Sequence, residues 1–415
     1  MTTQKKSPRT EPIGSQQLMK TVNRMALVRQ ICATPGISRA DLADVVGVTR
    51  STVSLLIREL IVEGWLVERD IVATGDMGRR PTPLFVDDTH LLLIGAEVGI
   101  DSLRVVVTSL TGQVQGQVIV AHGVDRSVNA CVASLAKALE DLQGQFSNGQ
   151  QLLGIGVGLP GGVNETRGVV HFAPNLGWRD VPFAKLLSDA LQTTWLADVP
   201  LLIQNEADTA ALGELEFNST PGSDPLIYVS INHGLGAGVI VGDRLLTGSR
   251  GYAGEVGHMV LQLNGPRCSC GRRGCAEALI ATRAIQCGIA NTAVLRTIPE
   301  VREHLSAGDV ETLKAVTSAG HHLGMLLLNL STAYDPGCIV LGGTVVELGD
   351  PFLQPAMAAL EAHIATGISS KPSIRTSRFG ANAVAIGAAA LVRYRLTRPA
   401  LPSTTGGRAA ANRRS

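Results

Sequence analysis

The sequence predicts a helix-turn-helix module with a small β wing, followed by a larger α/β body of two similar lobes into which a metal-binding loop is inserted. Three observations predict it. Two capped, stapled helices follow one another across the single step Gly47-Val48. Glycine-punctuated strand hairpins followed by helices occur twice, once from Leu91 and again from Leu226. The stretch His258 to Glu277, HMVLQLNGPRCSCGRRGCAE, sets one histidine ahead of three cysteines.

Length and charge bound the class without choosing a partner. At 415 residues the chain is long enough for two or three domains with sizeable cores. Its formal net charge is only +1, so global charge points to no particular surface. Of the seven cysteines, Cys32, Cys131, Cys287 and Cys338 are scattered, which does not read as a disulfide framework. No apolar run reaches the roughly eighteen residues that a bilayer span needs. The basic, polar N-terminus has no signal-peptide core, and the expected location is the cytoplasm.

Residues 1–16 are polar and basic and read as a disordered arm. From Leu18 to Ile31, the residues Leu18, Val22, Met25, Val28 and Ile31 recur at helical spacing. Pro35-Gly36 then breaks the helix. Ser38 is placed to cap a second helix, with Ile37 and Leu42 as a staple, and Gly47 ends it. Thr49 caps the third, where Val48 and Val53 repeat the staple. Val53, Leu56, Ile57 and Leu60 share its inner face. The outer face carries Arg50, Ser51, Thr52, Ser54 and Arg58, short hydrogen-bonding groups flanked by arginines, as suits a helix lying in a major groove. A solvated face on a small protein-binding domain would have the same composition. After Gly64, the segments Trp65 to Arg69 and Thr82 to Val86 form a two-stranded wing whose tip places Arg79 and Arg80 to meet phosphates or a minor groove. The module therefore spans 17–88.

The body spans 89–397. Leu91 to Val98, Leu103 to Leu110 and Gln113 to Val120 read as three strands, followed by a helix over about Val128 to Leu142. Leu153 to Leu159 is a buried strand ending in the tight loop Pro160-Gly161-Gly162. The second round runs Leu226 to Ile231, Ala237 to Val241 and Arg244 to Leu246. Asp335 to Gly343 is a strand entering a glycine turn, and Ala383 to Tyr394 is a small-residue helix suited to close packing at a hinge. Residues 398–415 read as a loose, disordered tail.

His258, Cys268, Cys270 and Cys275 make the ligand set of a closed tetrahedral zinc site, and Gly271 and Gly274 let the backbone turn between the sulfurs. Free core thiols or a disulfide are the alternatives. Cys268 and Cys270 are too close in sequence for an easy bridge to each other.

The run Gly251-Tyr252-Ala253-Gly254-Glu255-Val256-Gly257-His258, with the cysteines and Glu277 behind it, resembles the signature of the ROK family of sugar kinases and sugar-responsive repressors. The resemblance extends from Leu18 to about Tyr394. It implies an actin-like or hexokinase-like pair of lobes, and Ser38 to Phe85 is similar to the winged helix that opens the family's repressors and is missing from its kinases. In that family the equivalents of Glu255, His258 and Glu277 hold sugar hydroxyls, the histidine binding zinc through its other nitrogen. Asn205-Glu206 matches the kinases' Asn-Asp pair, and Gly161 offers backbone groups beside the cleft. The run from Asn264 to Gly271 is most similar to the xylose-operon repressors, which favours D-xylose while leaving glucose and N-acetylglucosamine open.

Three departures from the kinase pattern predict that the chain is not an enzyme. Glu206 replaces the aspartate base. Glu97-Val98-Gly99-Ile100-Asp101 puts an anion where the first phosphate loop has threonine, and Asn232-His233-Gly234-Leu235-Gly236 lacks the threonine of the second. The expectation is a zinc-containing regulator, most simply a repressor, with operator DNA and a small sugar as partners and no membrane. It would act as a homodimer or a dimer of dimers. The competing expectation is an active sugar kinase with an accessory DNA-binding domain.

Overall fold

The computed structural model describes residues 16–69, 82–123, 125–218, 223–289, 297–364 and 371–399. Arg79 and Arg80, residues 1–15 of the expected arm and residues 400–415 of the expected tail lie outside them. The chain divides into two compact units, one comprising residues through Leu91 together with those from Arg393 onward, the other Leu92–Val392. Among the described residues no helix is long and apolar enough to cross a membrane.

The first unit opens with α1 (Gln16–Ala33), α2 (Arg39–Val46) and α3 (Arg50–Val62), then β1 (Leu66–Glu68) and β2 (Leu84–Val86). Both caps form through the residues whose side chains suit them. Ser38 accepts from the Asp41 amide, Thr49 accepts from the Thr52 amide, and Gly47 ends α2 at φ 75°. Each such cap contributes about 1 kcal/mol. Val53, Leu56, Ile57 and Leu60 are buried beneath α3, each contributing roughly 1.5–3 kcal/mol gross. Lys20 and Arg24 of α1 pair with Glu59 of α3, and Arg24 also with Glu63. β1 and β2 pair antiparallel, and Leu84 bonds back to Gly36 and Ile37 through the backbone, which sets the wing against the turn before α2.

The second unit is a duplication. Its first round contains β3 (Leu91–Val98), β4 (Ser102–Ser109), β5 (Val114–Ala121), α4 (Val128–Glu140), β6 (Gln151–Leu159), β7 (Gly162–Asn164), β8 (Val169–Ala173), β9 (Trp178–Val181), α5 (Phe183–Leu191), β10 (Leu201–Asn205) and α6 (Glu206–Phe217). The second contains β11 (Leu226–Ile231), β12 (Leu235–Val241), β13 (Arg244–Leu245), α7 (Glu277–Ile280), α8 (Thr282–Gly288), α9 (Ile298–Ser306), α10 (Val310–Tyr334), β14 (Cys338–Gly342), α11 (Asp350–His363), β15 (Ser373–Thr376) and α12 (Ala383–Thr397). The two five-stranded sheets have the same connectivity, β5-β4-β3-β6-β10 and β13-β12-β11-β14-β15. In each, an antiparallel meander is extended by two later strands. Each sheet has its own apolar core, the first closed by α4 and α5, the second by α10 and α11.

One detail departs from the sequence reading. Gly162 belongs to β7 and not to a loop, because β7, β8 and β9 form a separate three-stranded sheet over the first core.

Helix α6 touches strands of both sheets. Its last turns are anchored by fully buried Glu214, which accepts from Arg375 and Asn218 on one oxygen and from Ser377 on the other. Arg378 donates to the Phe217 carbonyl. Close packing of α12 on α6 depends on small residues: a β-carbon on Gly387 would lie 2.0 Å from the Thr209 carbonyl oxygen.

Candidate functional site

Strands β6 and β10 are parallel neighbours that end together at Leu159 and Asn205. Open α/β sheets present ligands at such carboxyl ends. Here the chain turns directly from β10 into α6, and Asn205 makes the turn. Its Oδ1 accepts from the Ala207 and Asp208 amides at 2.7 and 3.3 Å, and its Nδ2 donates to the Gly161 carbonyl at 2.8 Å. Gly161 has φ 82°, and a β-carbon there would sit 2.0 Å from the Phe172 carbonyl oxygen. The geometry thus demands glycine.

A cavity of about 80 Å³ opens at this point, and Gly161, Asn205, Glu206, Glu255, His258 and Glu277 all line it. Four separate chain segments bring them together. Sequence patterning does not single out two further lining residues, Asn175 and Asp208. Asp208 was readable only as the residue two past Glu206, and its direction follows from the orientation of α6.

The cavity wall is acidic. Burial, with Glu255 nearby, pushes the Glu206 carboxyl up to about 7. Burial also raises Glu255, opposed by His258 and reinforced by Glu277. A second cavity of about 180 Å³ lies on the other side of Glu206 and contains Glu97, Asp101, Arg104, Asn232, His233 and Glu347. Burial and the adjacent Glu206 hold Glu97 at about 7 as well, against the pull of Arg104, whose Nε is 3.6 Å away. Asp101 stands exposed beside Arg126 at 3.4 Å. Asn232 is occupied structurally: its Oδ1 accepts from the Thr344 amide and its carbonyl from Thr282.

The loop after β13 brings His258, Cys268, Cys270 and Cys275 together, with one ligand atom from each within 4.8 Å of the others. His258 Nδ1 lies 3.7 Å from Cys268 Sγ, and Cys270 Sγ lies 3.7 Å from Cys275 Sγ. The four donors are compatible with a metal ion. The backbone is folded to suit, with Cys268 N donating to Arg272 O and Gly274 N to Pro266 O. A β-carbon at Gly274 would meet the Gln262 carbonyl oxygen at 1.6 Å. The other ring nitrogen of His258, Nε2, is 3.8 Å from Glu255 Oε2. Glu277 Oε1 accepts from Ser269 and its Oε2 from the Leu235 amide, which ties the cysteine-bearing loop to β12.

In the first unit, Arg50, Ser51 and Arg58 are exposed on α3, with Thr52 and Ser54 half-buried. The Ser51 and Thr52 hydroxyls both lie about 3 Å from that of Thr49, and Arg58 Nε donates to the Ser54 carbonyl. Leu55 is 52% exposed on the same face, an apolar group that the polar pattern hides.

A winged helix joined to a duplicated two-lobed body with an acidic cleft defines a ligand-responsive DNA-binding regulator. Residues 93–395 match the model of the ROK family, and residues 22–67 match a winged helix-turn-helix DNA-binding model. The chain belongs to the ROK family. The xylose repressor of Bacillus subtilis (strain 168) is 29% identical over 385 residues, covering 92% of this chain and 97% of that protein. A solved ROK family transcriptional regulator, a homolog of the E. coli MLC protein, superposes with a TM-score of 0.74 at 23% identity, covering 91% and 97%. A ROK family glucokinase from Streptomyces griseus in complex with glucose and AMPPNP has a TM-score of 0.63 at 25% identity, covering 73% of this chain and 99% of its own.

Proposed function

We propose that the protein is a cytoplasmic transcriptional repressor released from its operator by a small unphosphorylated sugar in the cleft, with D-xylose the first candidate. The observation that carries this is the convergence of Asn205, Glu206, Glu255, His258 and Glu277, with Gly161, on one cavity. Carboxylates accept from several hydroxyls at once. Among the described residues no lysine or arginine lines that cavity. A phosphosugar would therefore bring its charge to an uncompensated acidic wall. Likeness to the xylose repressor over nearly its whole length supports a pentose.

Zinc would be held by His258 Nδ1 and the sulfurs of Cys268, Cys270 and Cys275. Two thiolates each about 2.3 Å from one tetrahedral ion stand about 3.8 Å apart, and the 3.7 Å between Cys270 and Cys275 fits that spacing. The ion supplies a structural crosslink. The consequence for the chain is that His258 keeps Nε2 toward Glu255 and the ligand, its rotamer fixed.

Arg50, Ser51, Thr52, Ser54 and Arg58 would read the major groove, with Arg79 and Arg80 on phosphates or in a minor groove. A homodimer would present two such helices to half-sites, and sugar would shift their spacing. A coupling of about 1–3 kcal/mol changes operator affinity by roughly five- to 150-fold. Kinase chemistry is disfavoured by the second cavity, where Glu97, Asp101, Glu206 and Glu347 face the space a triphosphate would need. Among the described residues the one arginine lining it, Arg104, is engaged by Glu97 and Asn382.

Fluorescence anisotropy with the DNA upstream of the protein's own and neighbouring genes, at fixed salt, tests the reading. Specific binding weakened by D-xylose, glucose or N-acetylglucosamine is the expected result. Binding that none of them alters would defeat the effector assignment, and sugar-dependent ATP turnover abolished by Glu206→Ala would replace it with the kinase.

A further inference from the structure

Asp208 has no role in the chemistry described so far, yet its side chain is set as a ligand group would be. It lies in the first turn of α6, is 4% exposed, and lines the same cavity as Glu206 and Glu255. Its Oδ1 is buried and has no hydrogen-bond partner among the described residues. Buried carboxyl oxygens are almost always satisfied, so an orphan one costs stability. Glu255 from the loop after β13 and Glu165 from the β7–β8 turn act on it electrostatically, and Glu206 on its own helix, His258 and Glu277 line the same cavity; among the described residues no lysine or arginine does. Together with burial, Glu255 and Glu165 push its carboxyl well above the ordinary range. A carboxyl kept neutral is a donor as well as an acceptor.

We propose that Asp208 is a further effector-contacting, specificity-determining residue, donating its carboxyl hydrogen to an oxygen of the bound sugar while its other oxygen accepts from a neighbouring hydroxyl. This rests on the sugar-cleft reading and deepens it. A ligand's own acceptor oxygens need donors, and Asp208, Asn175 and His258 are side chains lining the cavity that can supply them. Donation from Asp208 selects sugars with an acceptor oxygen over the α6 N-terminus and makes binding proton-linked. Binding then weakens as pH rises through the carboxyl's raised range.

The test is isothermal titration of full-length protein with D-xylose, glucose and N-acetylglucosamine, from about pH 6 to about pH 9, for wild type, Asp208→Ala and Asp208→Asn, with melting temperatures for each. Asp208→Ala is expected to weaken the best-bound sugar by roughly ten- to a hundredfold. Asp208→Asn, which keeps a donor and an acceptor, should stay within about threefold of wild type at the acid end and lose part of the pH slope; the slope that remains belongs to Glu206 and Glu255. Both variants should melt at or above the wild-type temperature, since each removes a buried unpaired acid. Sugar affinity and pH slope unchanged in both variants would overturn the proposal while leaving the repressor reading intact. So would weakened binding accompanied by lowered melting temperatures in both, which marks a structural residue. No binding of any of the three sugars to wild type would overturn both readings.

Discussion

Replacing Glu206 by glutamine should make the protein increasingly more stable than wild type as pH rises. The carboxyl titrates near 7 in the folded chain and near 4.5 when unfolded. An acid whose folded value is raised favours folding least when ionised. Its cost is therefore small below the unfolded value, grows between about pH 4.5 and about pH 7, and is constant above. At 1.36 kcal/mol per unit, that cost is under about 1 kcal/mol at pH 5 and about 3 kcal/mol at pH 8. Glutamine carries none of it. The difference in unfolding free energy between Glu206→Gln and wild type should accordingly widen by about 2 kcal/mol over that range. Glu97 adds to the effect, since Glu206 helps hold it at about 7 and the pair titrates together. Urea unfolding of both proteins at several pH values measures the difference, and titrations common to both cancel. A difference that stays flat from pH 5 to pH 8 would refute the argument that burial and Glu255 keep this carboxyl partly protonated.

Other perturbations have equally definite outcomes. Cys275→Ser should lose bound zinc, read by elemental analysis, and lose the sugar response while operator binding persists; full zinc content with normal induction would exclude the assigned ligand set. Arg58→Ala should weaken operator binding, and if the arginine meets a phosphate it should reduce the slope of log affinity against log salt by about one. Ser38→Ala should cost the winged-helix unit about 1 kcal/mol in denaturant unfolding, the value of its cap on α2. Glu214→Ala should cost about 3–5 kcal/mol, because Arg375 and Ser377 are left facing an empty buried site.

Local signals wrote most of the first unit into the sequence. Ser38, Gly47 and Thr49 each fix a helix boundary within one or two residues of where they stand, and Val53, Leu56, Ile57 and Leu60 mark the inner face by spacing alone. The repeated strand hairpins at Leu91 and Leu226 likewise revealed the duplication. What stayed hidden depends on distant parts of the chain. The sheet formed by β7, β8 and β9 has strands of three to five residues, too short for an alternating pattern to declare itself. The grouping of His258 with Cys268, Cys270 and Cys275 was legible from chemistry and spacing, and the six cavity-lining residues came from the resemblance to the ROK family, but neither pointed to Asp208 or Asn175. Their place in the cavity follows from how α6 and the β8–β9 connection are oriented, which no neighbouring residue encodes.

Helix α6 holds the cleft's Asn205-Glu206 turn at one end and the buried Glu214 anchorage eight residues further on. At twelve residues it is a rod about 18 Å long, too short to bend appreciably. Besides the ties at its far end to Arg375, Ser377 and Arg378, its first turns lie directly on β12, where a β-carbon on Gly238 would come 2.4 Å from the Ala207 carbonyl oxygen. Glu206 therefore follows a strand of the first sheet, β10, while the helix it opens rests on the second, so one residue of the cleft takes its position from both sheets.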